Sequence, residues 1–160
     1  MERADHPSGR LIGIISDTHG YLDPVALKTF AGADRIIHAG DIGKAEVIET
    51  LKKIAPVTVV RGNMDRESWC AKLPAEAVVE ADGVSIYILH DLQRINLDPQ
   101  DAGVKVVISG HSHRPEIIEK KGVLYVNPGS ASLPRHHRMP TVALMKTRHG
   151  KFDIRIVELQ

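Results

Sequence analysis

Residues able to bind metal or move protons stand in five short groups, each directly after an apolar run. Ile14-Ile15 is followed by Ser16, Asp17, Thr18, His19 and Gly20. Ile36-Ile37 is followed by His38, Ala39, Gly40 and Asp41. Val59-Val60 leads to Gly62, Asn63, Met64 and Asp65, Ile88-Leu89 to His90 and Asp91, and Val107-Ile108 to Gly110, His111, Ser112 and His113. The donors are Asp17, His19, Asp41, Asn63, His90, His111 and His113: carboxylates, imidazoles and one amide oxygen, with no thiolate. Such a set suits Mn, Fe, Zn, Ni or Co. Seven donors exceed one ordinary site and suit two adjacent metals if one carboxylate bridges them. Metals paired at about 3.5–4 Å clamp the attacking and leaving oxygens of a phosphoryl displacement. A lone Asp or Asn in such a place is ordinary turn or cap chemistry. It is the set in register that points to a metal centre.

The elements that must position these groups follow from the apolar pattern. Leu11 to Ile15, Arg35 to His38 and Val57 to Val60 read as short buried strands. Between them, Asp23-Pro24 opens a helix to about Ala31, and Lys44 to Ile54 repeats Val47, Ile48, Leu51 and Ile54 at helical spacing. This β-α-β-α-β order predicts neighbouring parallel strands. The second half is strand-rich. Ala77 to Ala81 and Val84 to Leu89 flank Asp82-Gly83, a strong hairpin signal. Val104 to Ser109 reads as a buried strand. Ile117 to Glu119 pairs with Val123 to Val126 around Lys120-Lys121-Gly122, and Thr141 to Lys146 with Phe152 to Leu159 around His149-Gly150. The donor groups therefore fall at the carboxyl ends of five strands, the edge where open α/β sheets build their sites.

Composition narrows the classes. At 160 residues, 42% hydrophobic and 26% charged, the chain suits one soluble α/β domain. No apolar run approaches the ~20 residues of a membrane-spanning helix, so no membrane association is expected. A net charge of +1 makes no electrostatic case for nucleic acid. Nine histidines stand against one tryptophan, three tyrosines and two phenylalanines. Residues 1–10 are expected to be a flexible leader and 11–160 a single domain. The leader lacks the apolar core of a signal peptide, and Cys70 is the only cysteine, so a cytoplasmic location is expected.

In order, Asp17-x-His19, Gly40-Asp41, Gly62-Asn63-x-Asp65, His90 and Gly110-His111-x-His113 resemble the motif series of the calcineurin-like metallophosphoesterases. The runs SDTHG, HAGD, VRGNMD, GHSH and NPGS resemble the small bacterial and archaeal phosphodiesterases among them, over nearly all of Leu11 to Leu159. The resemblance implies a four-layer α/β/β/α sandwich of two mixed sheets. It implies two divalent transition metals, Mn foremost, with Ni, Fe, Zn or Co as alternatives. Asp17, His19 and His113 would hold the first, Asn63, His90 and His111 the second, and Asp41 would bridge both. Asp41, Asn63 and His113 are expected to carry catalysis, a metal-activated water attacking a small phosphodiester in line. The resemblance also implies homo-oligomers as plausible assemblies.

Two positions depart from the family pattern. Met64 stands where many larger relatives carry a histidine that protonates the leaving group, and a thioether has no proton to give. Asp91 follows His90 where relatives often read His-Gly-His. Its carboxylate either repels an anionic substrate or orients a ligating histidine. His38 is expected to be buried and hydrogen-bonded, and Asp65 to fix a loop. Asn127 and Ser130 are candidate substrate donors, as is Arg135 in the basic loop Pro134 to Pro140, with His136, His137 and Arg138 beside it. Cys70 reads as a spectator. Two alternatives stand beside the phosphodiesterase. One is a phosphomonoesterase, which uses the same donors. The other is a protein-binding scaffold like the retromer subunit that shares this fold, whose metal site is degenerate. The intact donor set favours an enzyme.

Overall fold

The computed structural model describes residues 9–132 and 139–159. Leader residues 1–8 and the basic-loop residues Arg135, His136, His137 and Arg138 lie outside the described residues, so the readings made for them rest on sequence alone. The strand expected to begin at Leu11 begins one residue earlier, so Arg10 belongs to β1 (Arg10–Ile15) and not to the leader.

β1 runs parallel to β2 (Arg35–His38), and β2 runs parallel to β3 (Val57–Val59). The crossovers are α1 (Pro24–Thr29) and α2 (Ala45–Lys52). The Asp23 carboxylate caps α1 by accepting the Val25 N–H at 2.8 Å, and Pro24 occupies the first turn, where its missing N–H costs nothing. β9 (Thr141–Arg148) adds antiparallel to β1, and β10 (Lys151–Glu158) to β9, giving the order β10-β9-β1-β2-β3. The second sheet comprises β4 (Glu76–Ala81), β5 (Val84–Leu89), β6 (Val106–Ile108), β7 (Pro115–Lys120) and β8 (Val123–Pro128), in the order β4-β5-β6-β8-β7. Both sheets are mixed. The hairpin turns Asp82-Gly83, Lys121-Gly122 and His149-Gly150 have positive φ at both positions, the mirror-image turn whose twist matches the flanking strands.

Alternation along β1 and β2 sorts the core. Ile12, Ile14 and Ile37 face Ile86, Ile88 and Ile108 between the sheets. Ile15 and Ile36 face the other way, against Phe30, Val47 and Leu51 under the helices. Each fully buried Ile or Phe contributes about 2 kcal/mol of transfer free energy. Helix α1 approaches so closely that a Cβ at Gly13 would stand 2.6 Å from the Phe30 ring. The outer face of the second sheet buries Tyr87, Val107 and Val123 beneath Ile95 and Leu97. Its cover is thin: the segment between β5 and β6 holds a single 3₁₀ turn, Leu92–Arg94, and no α-helix. Ile95 and Leu97 alternate with polar residues, and Asp98-Pro99 and Gly103 interrupt any helical run. The architecture is thus two mixed five-stranded sheets with α-helices outside one and a loop outside the other.

Candidate metal centre

The donor groups meet because the sheet ladders continue past the strands. Asp17 N–H donates to Gly40 O at 3.0 Å, His19 N–H to Asp41 O at 3.0 Å and Gly20 N–H to Ile42 O at 2.7 Å, so the loops after β1 and β2 run as one ribbon. In the second sheet the ladder likewise continues past β5 and β6, where Gly110 N–H donates to His90 O at 2.9 Å. Asp17, His19, Asp41, His111 and His113 all have φ between 48° and 72°. Left-handed backbone at non-glycine residues costs about 1–3 kcal/mol each and persists only where the surroundings over-determine it. Two glycines give the room: a Cβ at Gly62 would stand 2.2 Å from Asp41 N and Oδ1, and one at Gly110 would stand 2.0 Å from Ser16 Oγ.

Two carboxylates lie at the centre. Asp17 is fully buried. Its Oδ2 accepts from Ser16 Oγ at 2.7 Å and from His111 N–H at 3.1 Å, leaving Oδ1 turned toward His113 Nε2 (3.3 Å), His19 Nε2 (3.8 Å) and His90 Nε2 (3.9 Å). Asp41 Oδ1 accepts the Met64 N–H at 2.9 Å, and its Oδ2 lies between His90 Nε2 (3.3 Å) and His19 Nε2 (3.9 Å). Burial works against both charges. At Asp17 the imidazoles of His113, His19 and His90, with Ser16, outweigh it and hold the carboxyl far below the usual range. At Asp41 burial is likewise overcome, mainly by His90 and by the Met64 N–H. His90 is buried too, which disfavours its charge, but Asp41 and Asp17 raise its proton affinity above the ordinary value. A pocket that favours a proton on His90 in this way favours a metal cation there for the same Coulombic reason.

The histidines are aimed. His90 Nδ1 lies 2.7 Å from Ala39 O, which fixes that nitrogen as the donor and leaves Nε2 with a free lone pair. The His19 and His113 rings stand 5.3 Å apart, as do those of His90 and His111. His111 Nδ1 is 3.1 Å from Asn63 Oδ1. Ligand atoms of Asp17, His19 and His113 fall within 4.8 Å of one another, and so do those of Asp17, Asp41 and His90. Asp17 Oδ1, His19 Nε2 and His90 Nε2 are buried with no hydrogen-bond partner. Buried polar atoms are almost always satisfied. Three orphans facing one another, all Lewis bases, fit a bound divalent cation. All seven expected donors thus gather here, with Asn63 and His111 on the exposed side.

Other sequence readings land around this centre. His38 is fully buried: Gly40 N–H donates to its Nδ1 at 3.1 Å, so its Nε2–H donates to Thr18 Oγ1 at 3.0 Å, and Thr18 Oγ1 donates in turn to Ile42 O at 2.7 Å. Burial pushes its pKa down to about 3, so the ring is neutral. Asp65 accepts four backbone N–H groups, from Asp41 (2.9 Å), Ile42 (2.9 Å), Gly43 (3.4 Å) and Gly62 (2.8 Å), tying two donor loops together. Met64 exposes 62% of its surface; only its backbone serves Asp41.

Three readings need correcting. Asn127 and Ser130 are buried and spend their groups on the protein itself. Asn127 Nδ2 donates to Gly110 O at 2.9 Å and Ser112 Oγ at 3.0 Å, and its Oδ1 accepts Gly129 N–H, while Ser130 Oγ donates to Asp17 O at 2.9 Å. They hold the donor loops. Asp91 does not take the expected orienting role. It caps the 3₁₀ turn through Gln93 N–H at 3.0 Å and lies 3.8 Å from Arg94, and the orienting partner of His90 is a carbonyl. Sequence reasoning missed Ser16 and Thr18, although both flank Asp17 directly after a buried strand, where an unpaired hydroxyl would be costly. It also missed Ser132, whose Oγ donates to Asp17 O at 3.0 Å.

The sequence profile of the calcineurin-like phosphoesterase superfamily domain matches residues 11–150. The chain belongs to that superfamily. A probable metallophosphoesterase of Methanocaldococcus jannaschii is 34% identical over 94% of this chain and 82% of its own length. Among solved structures, an archaeal phosphodiesterase superposes with a TM-score of 0.76 at 26% identity, covering 92% of this phosphoesterase and 99% of that chain. The vacuolar protein sorting protein Vps29 of Chaetomium thermophilum superposes at 0.74 with 22% identity, over 93% and 96% of the two chains, a likeness of fold alone. This phosphoesterase is metal-dependent by family, and it carries the donor groups such chemistry requires.

Proposed function

We propose that the protein is a di-metal phosphodiesterase, and that Asp17, His19 and His113 hold one divalent metal, Asn63, His90 and His111 the other, and Asp41 both. The observation that carries this reading is the set of buried, unpartnered, mutually facing atoms Asp17 Oδ1, His19 Nε2 and His90 Nε2. Manganese is the metal proposed, and the cytoplasm the compartment; no helix among the described residues is long and apolar enough to cross a membrane. Bound metals would supply positive charge at the phosphoryl oxygens and activate the attacking water.

The chain's own residues do the rest. Ser16 and the His111 N–H hold Asp17 Oδ2, so that Oδ1 alone faces the centre. Ala39 O keeps His90 in the tautomer whose Nε2 can ligate. Asp65, Asn127 and Ser130 lock the loops, so the donors are pre-organised before any ligand arrives. Met64 has no proton to give, so among the described residues no side chain fills the proton-donor place of the larger relatives. That favours esters with good leaving groups. The preference for diesters is supported by the likeness to the archaeal phosphodiesterase of similar structure.

Protein stripped of metal and reloaded with Mn is assayed on bis(p-nitrophenyl) phosphate and on p-nitrophenyl phosphate, with metal content measured in parallel. The expected result is about two metals per chain and faster turnover of the diester. Full metal occupancy with neither ester hydrolysed would reject the enzyme in favour of a scaffold. Faster turnover of the monoester would make it a phosphomonoesterase.

A further inference from the structure

A groove of about 570 Å³ opens beside Asn63, His90 and His111, and Arg61, Arg66 and Arg94 line it as well. That volume is of the size that holds nucleotide-like ligands, far more than a phosphoryl centre needs. Arg61 and Arg66 come from the loop after β3, Arg94 from the turn after β5. Each guanidinium has five N–H donors. Arg61 spends one on Ala71 O at 3.3 Å and Arg66 one on Asn63 O at 3.2 Å. Among the described residues Arg94 meets Asp91, at 3.8 Å, with its side chain 85% exposed. Three carboxylates border the groove, and each is engaged: Asp65 by four backbone N–H groups, Glu76 by the Tyr87 hydroxyl, Asp91 by Gln93 N–H and Arg94. Formal charge in the groove is balanced, so selection there rests on directed donors and not on net field.

We propose that this groove binds a second phosphate carried by the substrate, so that the substrate class is a phosphodiester with a phosphorylated flank. This rests on the phosphodiesterase reading above. Guanidiniums from two separate loops match a tetrahedral dianion with three free oxygens better than a planar carboxylate, which one forked arginine already satisfies.

The test compares Mn-loaded protein on two esters with the same leaving group: thymidine 5′-(p-nitrophenyl phosphate), and the same ester bearing a 3′-phosphate. Bis(p-nitrophenyl) phosphate is run beside them. The expected result is a kcat/KM at least about tenfold higher for the 3′-phosphorylated ester, carried mainly by KM. In the triple variant Arg61→Gln, Arg66→Gln, Arg94→Gln that ratio falls to near one, and Arg94→Gln alone lowers it part-way. A thermal melt verifies that the triple variant folds; if it does not, Arg94→Gln decides. Hydrolysis of bis(p-nitrophenyl) phosphate without preference for the 3′-phosphorylated ester overturns this inference and leaves the phosphodiesterase reading standing. A preference that survives the substitutions overturns the arginine assignment. No hydrolysis of any diester overturns the phosphodiesterase reading itself.

Discussion

His90 Nδ1 lies 2.7 Å from the carbonyl oxygen of Ala39, a residue 51 positions earlier and on the other sheet's side of the centre. This one contact selects the tautomer of His90 and turns its Nε2 to within 3.3 Å of Asp41 Oδ2. The same Asp41 is held from below by the Met64 N–H and by the Asp65 clamp on its own N–H. The centre is therefore supported mostly by backbone groups, and its weak points are the residues that hold backbone in place.

Asp41→Asn should abolish activity. The substitution removes the charge and, with Oδ1 still needed by the Met64 N–H, puts an amide nitrogen in place of Oδ2, which lies between His19 and His90. Turnover should fall on the order of a thousandfold and metal content from about two to one or fewer per chain. Kinetics with elemental analysis of the purified variant checks both. Undiminished activity would reject Asp41 as the shared ligand.

Asp65→Asn replaces an oxygen that accepts backbone N–H groups with an amide that repels at least one of them. Charge-assisted bonds at a buried site make this a loss of about 3 kcal/mol. Urea denaturation of the metal-free protein measures it. A loss below about 0.5 kcal/mol would show that the clamp is redundant.

His38 gives the acid limb of stability a definite sign. Its folded pKa, about 3, lies below the ordinary value of 6.5, so the unfolded chain takes up a proton that the folded ring refuses. The stability present above pH 6.5 is lost as pH falls toward 3. From pH 7 to pH 5 the loss is about 2 kcal/mol. His38→Asn keeps an acceptor near Gly40 but cannot titrate. The difference in stability between wild type and this variant should therefore shrink by that amount at pH 5, and the comparison cancels the opposite shift at His90. Parallel pH profiles would contradict a neutral buried ring.

Leaving-group dependence tests Met64. With no side-chain acid at this position, kcat should fall steeply as leaving-group pKa rises across aryl and alkyl diesters. Met64→His should flatten the slope. A flat dependence in the wild type would mean that another group protonates the leaving oxygen.

Much of this was written in local sequence. The carboxyl ends of five strands could be located because apolar runs stop abruptly at Ser16, His38, Arg61, His90 and Ser109, and the Asp82-Gly83 hairpin because so few residue pairs tolerate two positive φ values. The candidate donors followed from residue type together with their place directly after those runs. The thin outer layer over Tyr87 was not legible, since whether Ile95 and Leu97 lie on a helix or a loop is decided by the sheet they cover.

What the sequence determined was which residues are offered and at which strand ends. What only the tertiary structure decided was which lone pairs remain free. Asp17 Oδ2 is taken by a backbone N–H 94 positions away, and the Asp17 carbonyl by Ser130, 113 positions away, while Oδ1 is left bare. Asn127 carries the same kind of polar group, yet it is consumed by Gly110 and Ser112. A polar side chain becomes a ligand only when its neighbours do not satisfy it first, and those neighbours come from the whole chain.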